Sequence, residues 1–296
     1  MVSSIDQAQV IEFSDMVHQE AQQTTARLRP YVTTKQMSGD VWAYDGLGRV
    51  EAREIQGRNV AATFDDIQHN RRKIARRRFV INLAIDSSDV RGALLDPQSE
   101  YAKAVAQGMA RQYDRVIYDA AFADVLTGRD FETTVTATND GVSTVNATGG
   151  LTYEKLLEIK QNFFDEDVGT EASERLFLTI GGAEHTNLMG ETELTSGDFT
   201  REFVVEGGSI TKGLGMDFIP FASNVPSPII GLNAAGTERE LIAASDRAFC
   251  LGVSKEMSIN IQERNDLIET TQVQVIAEIG AVRTEGVLLQ KVRVTA

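Results

Sequence analysis

The stretch Asp96–Gly128, DPQSEYAKAVAQGMARQYDRVIYDAAFADVLTG, carries the strongest periodic signal in the chain. Asp96 is a residue type that caps helix N-termini, and Pro97 suits the first helical position. Gly128 suits the left-handed residue that follows a helix. Ala102, Val105, Met109, Tyr113, Val116, Ile117 and Ala120 mark one continuous apolar stripe. The pattern predicts a single helix over 96–128. At about 1.5 Å per residue it is a rod of ~45 Å, against a mean of ~11–12 residues for globular helices. One reading is a coiled coil, for which the stripe is too Ala-rich and irregular. The other is a scaffold rod on which a flat domain is built, with Val105, Met109, Tyr113, Val116 and Ile117 packing against it.

Upstream lies a second unusual stretch, HNRRKIARRRF, from His69 to Phe79. Six of the eight residues Arg71–Arg78 are cations: Arg71, Arg72, Lys73, Arg76, Arg77 and Arg78. The chain as a whole has a formal net charge of −14. Past the cluster, Phe79, Ile81, Leu83 and Ile85 alternate with Arg78, Val80, Asn82 and Ala84. The cluster is therefore expected at the start of one long strand. Before it, DVWAYDGLGRVEAREI reads as two short extended runs about a Gly46/Gly48 turn. Some 45 residues of extended chain with few core-sized side chains suggest a protruding hairpin that needs something to lie on. Three partners fit the cluster: solvent along a strand edge, nucleic acid, or an acidic surface on another copy of the chain. The acidic surroundings and the absence of interleaved aromatics favour the last.

The remaining segments fill out a mixed α and β chain. Residues 1–30 read as a polar helical arm with a thin stripe at Val10, Phe13, Met16 and Val17, stopped by Pro30. Residues 129–150, rich in Thr, Asn, Asp and Gly, predict a loop or short hairpin. A helix capped near Thr152 follows, with Leu156, Leu157, Ile159 and Phe163 inward; then a buried strand at Arg175–Gly181, a helix in GGAEHTNLMGE, and a loop and strand in FVVEGGSITKGLGMDFIPF. This alternation implies a second, α/β-like layer. The last third is strand-rich, with Val273, Val275, Ala277 and Ile279 on one face.

Composition excludes several functional classes. A hydrophobic content of 42% supports a packed core. The acidic balance argues against a dedicated DNA-gripping domain. No apolar run approaches the ~20 residues of a membrane helix, and the N-terminus has no secretory pattern. Cys250, alone, precludes an intrachain disulfide and sits in the apolar context AFCLG. His18, His69 and His185 lack metal-ligand spacing. Gly207–Gly215 is glycine-rich but departs from the phosphate-loop pattern, so a flexible loop is expected. Asp165–Glu171 lacks calcium-loop spacing and reads as a solvated helix end. No catalytic, cofactor or metal residues are assigned.

The order of parts resembles the tailed-bacteriophage major capsid protein of the Hong Kong 97-type fold. The likeness is carried by EAREI (Glu51–Ile55), NRRKIARRRFVINLAIDSSDV (Asn70–Val90) and Leu94–Gly128, with LMGETELTSGDFTREFVVEGG and GLGMDFIPFASNVP behind them. It spans almost the whole chain, though no one motif is highly specific. The resemblance implies an α+β capsid fold: an N-terminal arm (1–36), an extended E-loop hairpin (37–85), a P-domain with a long spine helix (86–148), an α/β A-domain (149–243) and returning P- and A-domain strands (244–296), with boundaries of about ±10.

It further implies a shell of hexamers and pentamers enclosing a dsDNA genome without sequence-specific binding. Portal, scaffolding and decoration proteins are the implied partners, with assembly in the host cytoplasm and a final place in the virion capsid; no membrane is involved. In that family the E-loop lies across the P-domain of the next subunit. Arg71, Arg72, Lys73, Arg76, Arg77 and Arg78 then sit at its root and face a neighbour, and reversing Arg76 and Arg78 impairs assembly more than folding. Gly207, Gly208, Lys212 and Gly213 are the implied loop at the capsomer axis. An encapsulin-like compartment of the same fold, enclosing an enzyme, is the alternative; an unrelated enzyme or nucleic-acid binder is a distant third.

Overall fold

The computed structural model describes residues 23–52, 54, 64, 66–85, 97–171, 173–191, 204–206, 209–233, 236–264, 266 and 270–295. The helical arm expected over residues 1–22, Gly207, Gly208 and most of the hairpin tip lie outside them. The chain divides into two compact units. One includes Arg78–Arg111 and Lys255–Ala277; the other includes Ala26–Arg77, Gln112–Ser254 and Glu278–Ala296.

In chain order the strands and helices are β1 (Thr33–Gln36), β2 (Val41–Leu47), β3 (His69–Ala75), β4 (Arg77–Ile85), α1 (Pro97–Phe122), β5 (Val125–Thr127), β6 (Thr133–Val135) and β7 (Ser143–Ala147). There follow α2 (Tyr153–Asp165), β8 (Leu176–Ile180), α3 (Gly182–Gly190), β9 (Val204–Glu206), β10 (Ser209–Gly213), β11 (Met216–Pro220), β12 (Glu238–Ser245), β13 (Phe249–Arg264), β14 (Thr270–Arg283) and β15 (Leu289–Thr295).

The larger unit is built on a seven-stranded mixed sheet in the order β7-β15-β12-β8-β11-β10-β9. Its middle strand β8, LFLTI, is buried at every residue, as expected of a short apolar run bounded by turn residues. Helix α2 packs on β7 and α3 on β10. Leu156, Ile159 and Phe163 point α2 into the core, whereas Leu157 is exposed. Its inward assignment is corrected by geometry: at 100° per residue it lies a quarter turn from Leu156.

Two smaller sheets set the hairpin. The order β2-β3-β5-β6 forms one, and β1-β13-β14-β4 the other. β2 pairs antiparallel with β3, Val41 opposite Ala75 and Leu47 opposite His69. The hairpin expected about Gly46/Gly48 is thus corrected. The strand through Gly46 finds its partner in the basic segment, and residues 48–68 connect the two. Nor is the basic cluster the start of one long strand, because the chain changes sheets at Arg76. Its backbone N–H donates to the Asp40 carbonyl at 2.9 Å, and its guanidinium pairs with Asp40 and Glu278. Beside this corner, a Cβ at Gly280 of β14 would run into the Ala75 carbonyl, so only glycine permits the approach.

Helix α1 ends at Phe122, six residues before Gly128, and Val125–Thr127 turn into β5. Arg283 stops it. From β14 its Nη1 donates to the Ala121 carbonyl at 2.7 Å and the Ala123 carbonyl at 3.2 Å, supplying the cation and donors a helix C-terminus lacks. Gly128 keeps its left-handed φ of 96°, at the end of β5. Val105, Met109, Tyr113, Val116 and Ile117 are all buried.

Candidate subunit interface

A strand sends alternate side chains to opposite faces, and this divides the basic cluster. In β3, Arg72 and Ile74 point inward, 2% and 0% exposed, while Arg71 and Lys73 point away. Ile74 joins Met37, Val125, Cys250 and Val282 in a small core against which Trp42 and Tyr44 pack. Cys250 is buried there, and burial pushes its thiol up to about 11, which removes it as a nucleophile.

Arg72 donates from Nη1 and Nη2 to the two oxygens of Asp140, at 2.7 and 2.6 Å, and from Nη1 to the Arg283 carbonyl. Arg283, 0% exposed, donates from Nε to the same carboxylate at 2.6 Å. Burial alone would raise the Asp140 carboxyl; the hydrogen bonds and charges of Arg72 and Arg283 outweigh it and hold it below the usual carboxylate range. The expectation for Arg72 is corrected: it is consumed inside its own chain, because a buried guanidinium requires a buried anion. Arg71 pairs with Asp45 on the same hairpin, and Arg76 holds the corner to β4. Lys73 lies 6.0 Å from the centre of the Phe131 ring. Arg77 and Arg78, at the start of β4, are exposed.

At the far end of β2 and beyond it, the hairpin carries uncovered apolar side chains. Leu47 is 67% exposed, Val50 53% and Phe64 101%. The other unit has its own uncovered stripe. Gln272 bonds laterally to both Asn82 and Arg264, so these three side chains share one face of the β13-β14-β4 sheet. By alternation Ile81, Val275 and Ile259 share the opposite face. Helix α1 covers part of it, with Gly108 pressed against Ile81, and Val275 is buried. Met257, Ile259 and Ile261 are left 40–45% exposed. Strand β1 pairs with β13 only over Cys250–Val253, so beside these residues that edge has no strand partner among the described residues.

The chain at Arg27 and Leu28 is fixed by a residue that sequence reasoning missed. Asp114, in mid-helix and 0% exposed, accepts the backbone N–H groups of Arg27 and Leu28 at 2.8 and 2.9 Å. Leu28 is fully buried, and Tyr31 donates to Asp217. The only signal was an acid on the apolar side of a helical stripe. Asp217 also receives Arg175 and Lys212. Burial opposes ionisation of Asp217, but hydrogen bonds from Arg175, Lys212 and Tyr31 keep its carboxyl below the usual range. The flexible loop expected at Gly207–Gly215 is corrected over its described part: Lys212 and Gly213 lie in β10, paired with Asp217 and Met216, and the turn falls at Leu214 and Gly215 with φ of 51° and 73°.

Among the described residues no group of three or more His, Cys, Asp or Glu side chains could hold a metal. No helix among them is long and apolar enough to cross a membrane.

No curated protein matches the chain in sequence. Solved structures match its fold over nearly its whole length. The capsid of cyanophage P-SCSP1u aligns with a TM-score of 0.73 at 13% identity, covering 99% of this chain and 95% of that one. The acid-stable capsid of Helicobacter pylori bacteriophage KHP30 gives 0.72 at 11% identity, covering 100% and 99%. Mycobacterium phage Che8 gives 0.68 at 13%, covering 96% of each. The phage capsid protein family matches residues 5–293. With that match over nearly the full length, the chain belongs to the phage capsid protein family: it is a major capsid protein, a building block of the phage shell.

Proposed function

We propose that copies of this chain close the shell by laying the exposed part of the β2–β3 hairpin on a neighbouring copy, in hexamers and pentamers. What carries the reading is the uncovered apolar surface of an otherwise well-packed chain. Leu47, Val50 and Phe64 on the hairpin, and Met257, Ile259 and Ile261 on β13, lie in water in the single subunit. Burying such side chains contributes about 1.5–3 kcal/mol each, and identical neighbours are the partners a shell supplies. Arg77 and Arg78 are the cations of the cluster exposed enough to meet a neighbour's acidic surface, where charge sets register and encounter more than affinity. In this reading the β10–β11 turn beside Lys212 and Gly213 faces the capsomer axis.

The role is structural rather than enzymatic, and membership of the phage capsid family favours a genome shell over an enzyme-filled compartment. The net charge of −14 suits a wall that confines dsDNA without adhering to it, since a basic wall would bind phosphates through counterion release. Scaffolding, portal and decoration proteins are partners of this role. The double variant Arg77→Glu/Arg78→Glu tests the contact. Sedimentation is expected to show shell yield reduced at least ~10-fold, while the unassembled subunit melts within ~2 °C of wild type, as for exposed substitutions. Shells formed at the wild-type yield would remove these cations from the interface.

A further inference from the structure

Asp140 stands on a loop that connects β6 to β7 and is held by its own hydrogen bonds. The Asp140 N–H donates to the Thr136 carbonyl at 3.0 Å, Gly141 N–H to Thr138 and Val142 N–H to Ala137. A Cβ at Gly286 would strike the Asp140 carbonyl, so the turn between β14 and β15 presses directly on this loop. Its carboxylate, 9% exposed, is thus presented from a stiff support. It receives two buried guanidiniums that arrive from different elements, Arg72 from the hairpin and Arg283 from the end of β14.

Two cations against one anion leave the cluster one positive charge in excess. The Ala121 and Ala123 carbonyls, at the negative end of α1, take up the Nη1 side of Arg283. Arg72 Nε and Arg283 Nη2 are buried and find no acceptor among the described residues. Removing the one carboxylate would leave two buried cations facing each other.

By contrast, the backbone link between the hairpin and the next strand is slender. β3 and β5 share a single register pair, Arg72 opposite Thr127, supplemented by Gly128 N–H to the Arg71 carbonyl. The hairpin therefore depends on side chains for its docking: on the inward face these are Arg72 and Ile74 of β3, with Trp42 and Tyr44 of β2 beside them.

We propose that Asp140 is a positioning residue: a latch that joins the β2–β3 hairpin to the end of α1 and so sets the direction in which the hairpin leaves the subunit. It touches no neighbour itself. Its effect on assembly rests on the reading that the hairpin overlaps an adjacent copy; its effect on the hairpin does not. Neutralising it frees the hairpin while the seven-stranded sheet stays folded. The other ionisable groups in this neighbourhood are Tyr44, across the strand pair from Arg72, with Cys250, Glu285 and Arg247 around it.

The test is hydrogen exchange on the full unassembled chain, comparing wild type, Asp140→Asn and Asp45→Asn, with sedimentation of each after assembly. Asp140→Asn is expected to speed exchange of β2 and β3 amides at least ~30-fold, leave β8 and β12 amides unchanged, and lower shell yield. Asp45→Asn, which removes only the exposed pair with Arg71, is expected to match wild type. Equal exchange in all three, or faster exchange everywhere in Asp140→Asn, overturns the latch. Should Asp140→Asn fail to fold, wild type is titrated with acid. The folded carboxyl lies below its unfolded value of ~3.9, so its stabilisation is present above that value and fades as pH falls toward the lower folded one. Hairpin protection is then expected to disappear at a higher pH than β8 and β12 protection; simultaneous loss overturns the latch. If no variant and no wild type assembles, the shell reading fails while the exchange result still judges Asp140.

Discussion

Truncating Ile74 to alanine separates a hairpin docked on its own subunit from one that is held only by neighbours. Ile74 is 0% exposed within the single chain, between Met37, Val125, Cys250 and Val282. Gly252 and Gly280 lie against its Cγ2, where neither could carry a side chain without intruding. The site has little freedom to collapse. The change removes about three carbons at about 0.8 kcal/mol each, and the cavity left behind adds about 1 kcal/mol, for a loss of about 3.5 kcal/mol. With an unfolding entropy of about 2.1 cal/mol/K per residue, the 296-residue chain loses about 6 °C in Tm. Ile74→Val, at about 1 kcal/mol, costs about 2 °C. Calorimetry of unassembled subunits reads both, and hydrogen exchange shows whether β3 is the strand that loosens. A Tm for Ile74→Ala within ~1 °C of wild type would refute the reasoning, since it would mean that Ile74 is buried only in the assembled particle.

Two further outcomes follow from the packing. Gly280→Ala places a methyl against the Ala75 carbonyl at the corner between β3 and β4, so it is expected to destabilise the subunit by about 1–3 kcal/mol, read by the same calorimetry. Cys250, buried with its thiol raised to about 11, is expected to resist an aromatic disulfide reagent at pH 8 in the native chain and to react at once in denaturant.

How far the sequence was legible depends on how local each signal is. The stripe of α1 follows from a period of 3.6 and needs no tertiary information, and the same holds for β8, α2 and the alternating face of β14. The end of α1 was not legible, because what stops it is Arg283, 161 residues beyond Phe122 in the chain. Leu157 was misassigned because a hydrophobic residue at a helix edge looks the same in sequence as one at its centre.

The basic cluster shows the same limit more sharply. Composition makes its six cations equivalent, whereas the β pleat sends Arg72 inward to Asp140 and Arg71 outward to Asp45. Nothing near Arg72 in sequence announces a carboxylate 68 positions away. Likewise, the turn seen at Gly46/Gly48 had a plausible local partner, and pairing with the distant strand β3 overrode it. The base of the hairpin rests on its own subunit, contrary to a picture in which the whole ribbon waits for a neighbour; its most exposed apolar residues, Leu47, Val50 and Phe64, lie away from that base.

Electron microscopy of the purified full-length chain tests the central claim most directly. The account predicts closed icosahedral shells in which the hairpin beyond Leu47 crosses onto an adjacent copy and the Met257–Ile259–Ile261 stripe is covered. Discrete monomers or dimers at every protein and salt concentration, with that stripe and Phe64 still in water, would contradict it.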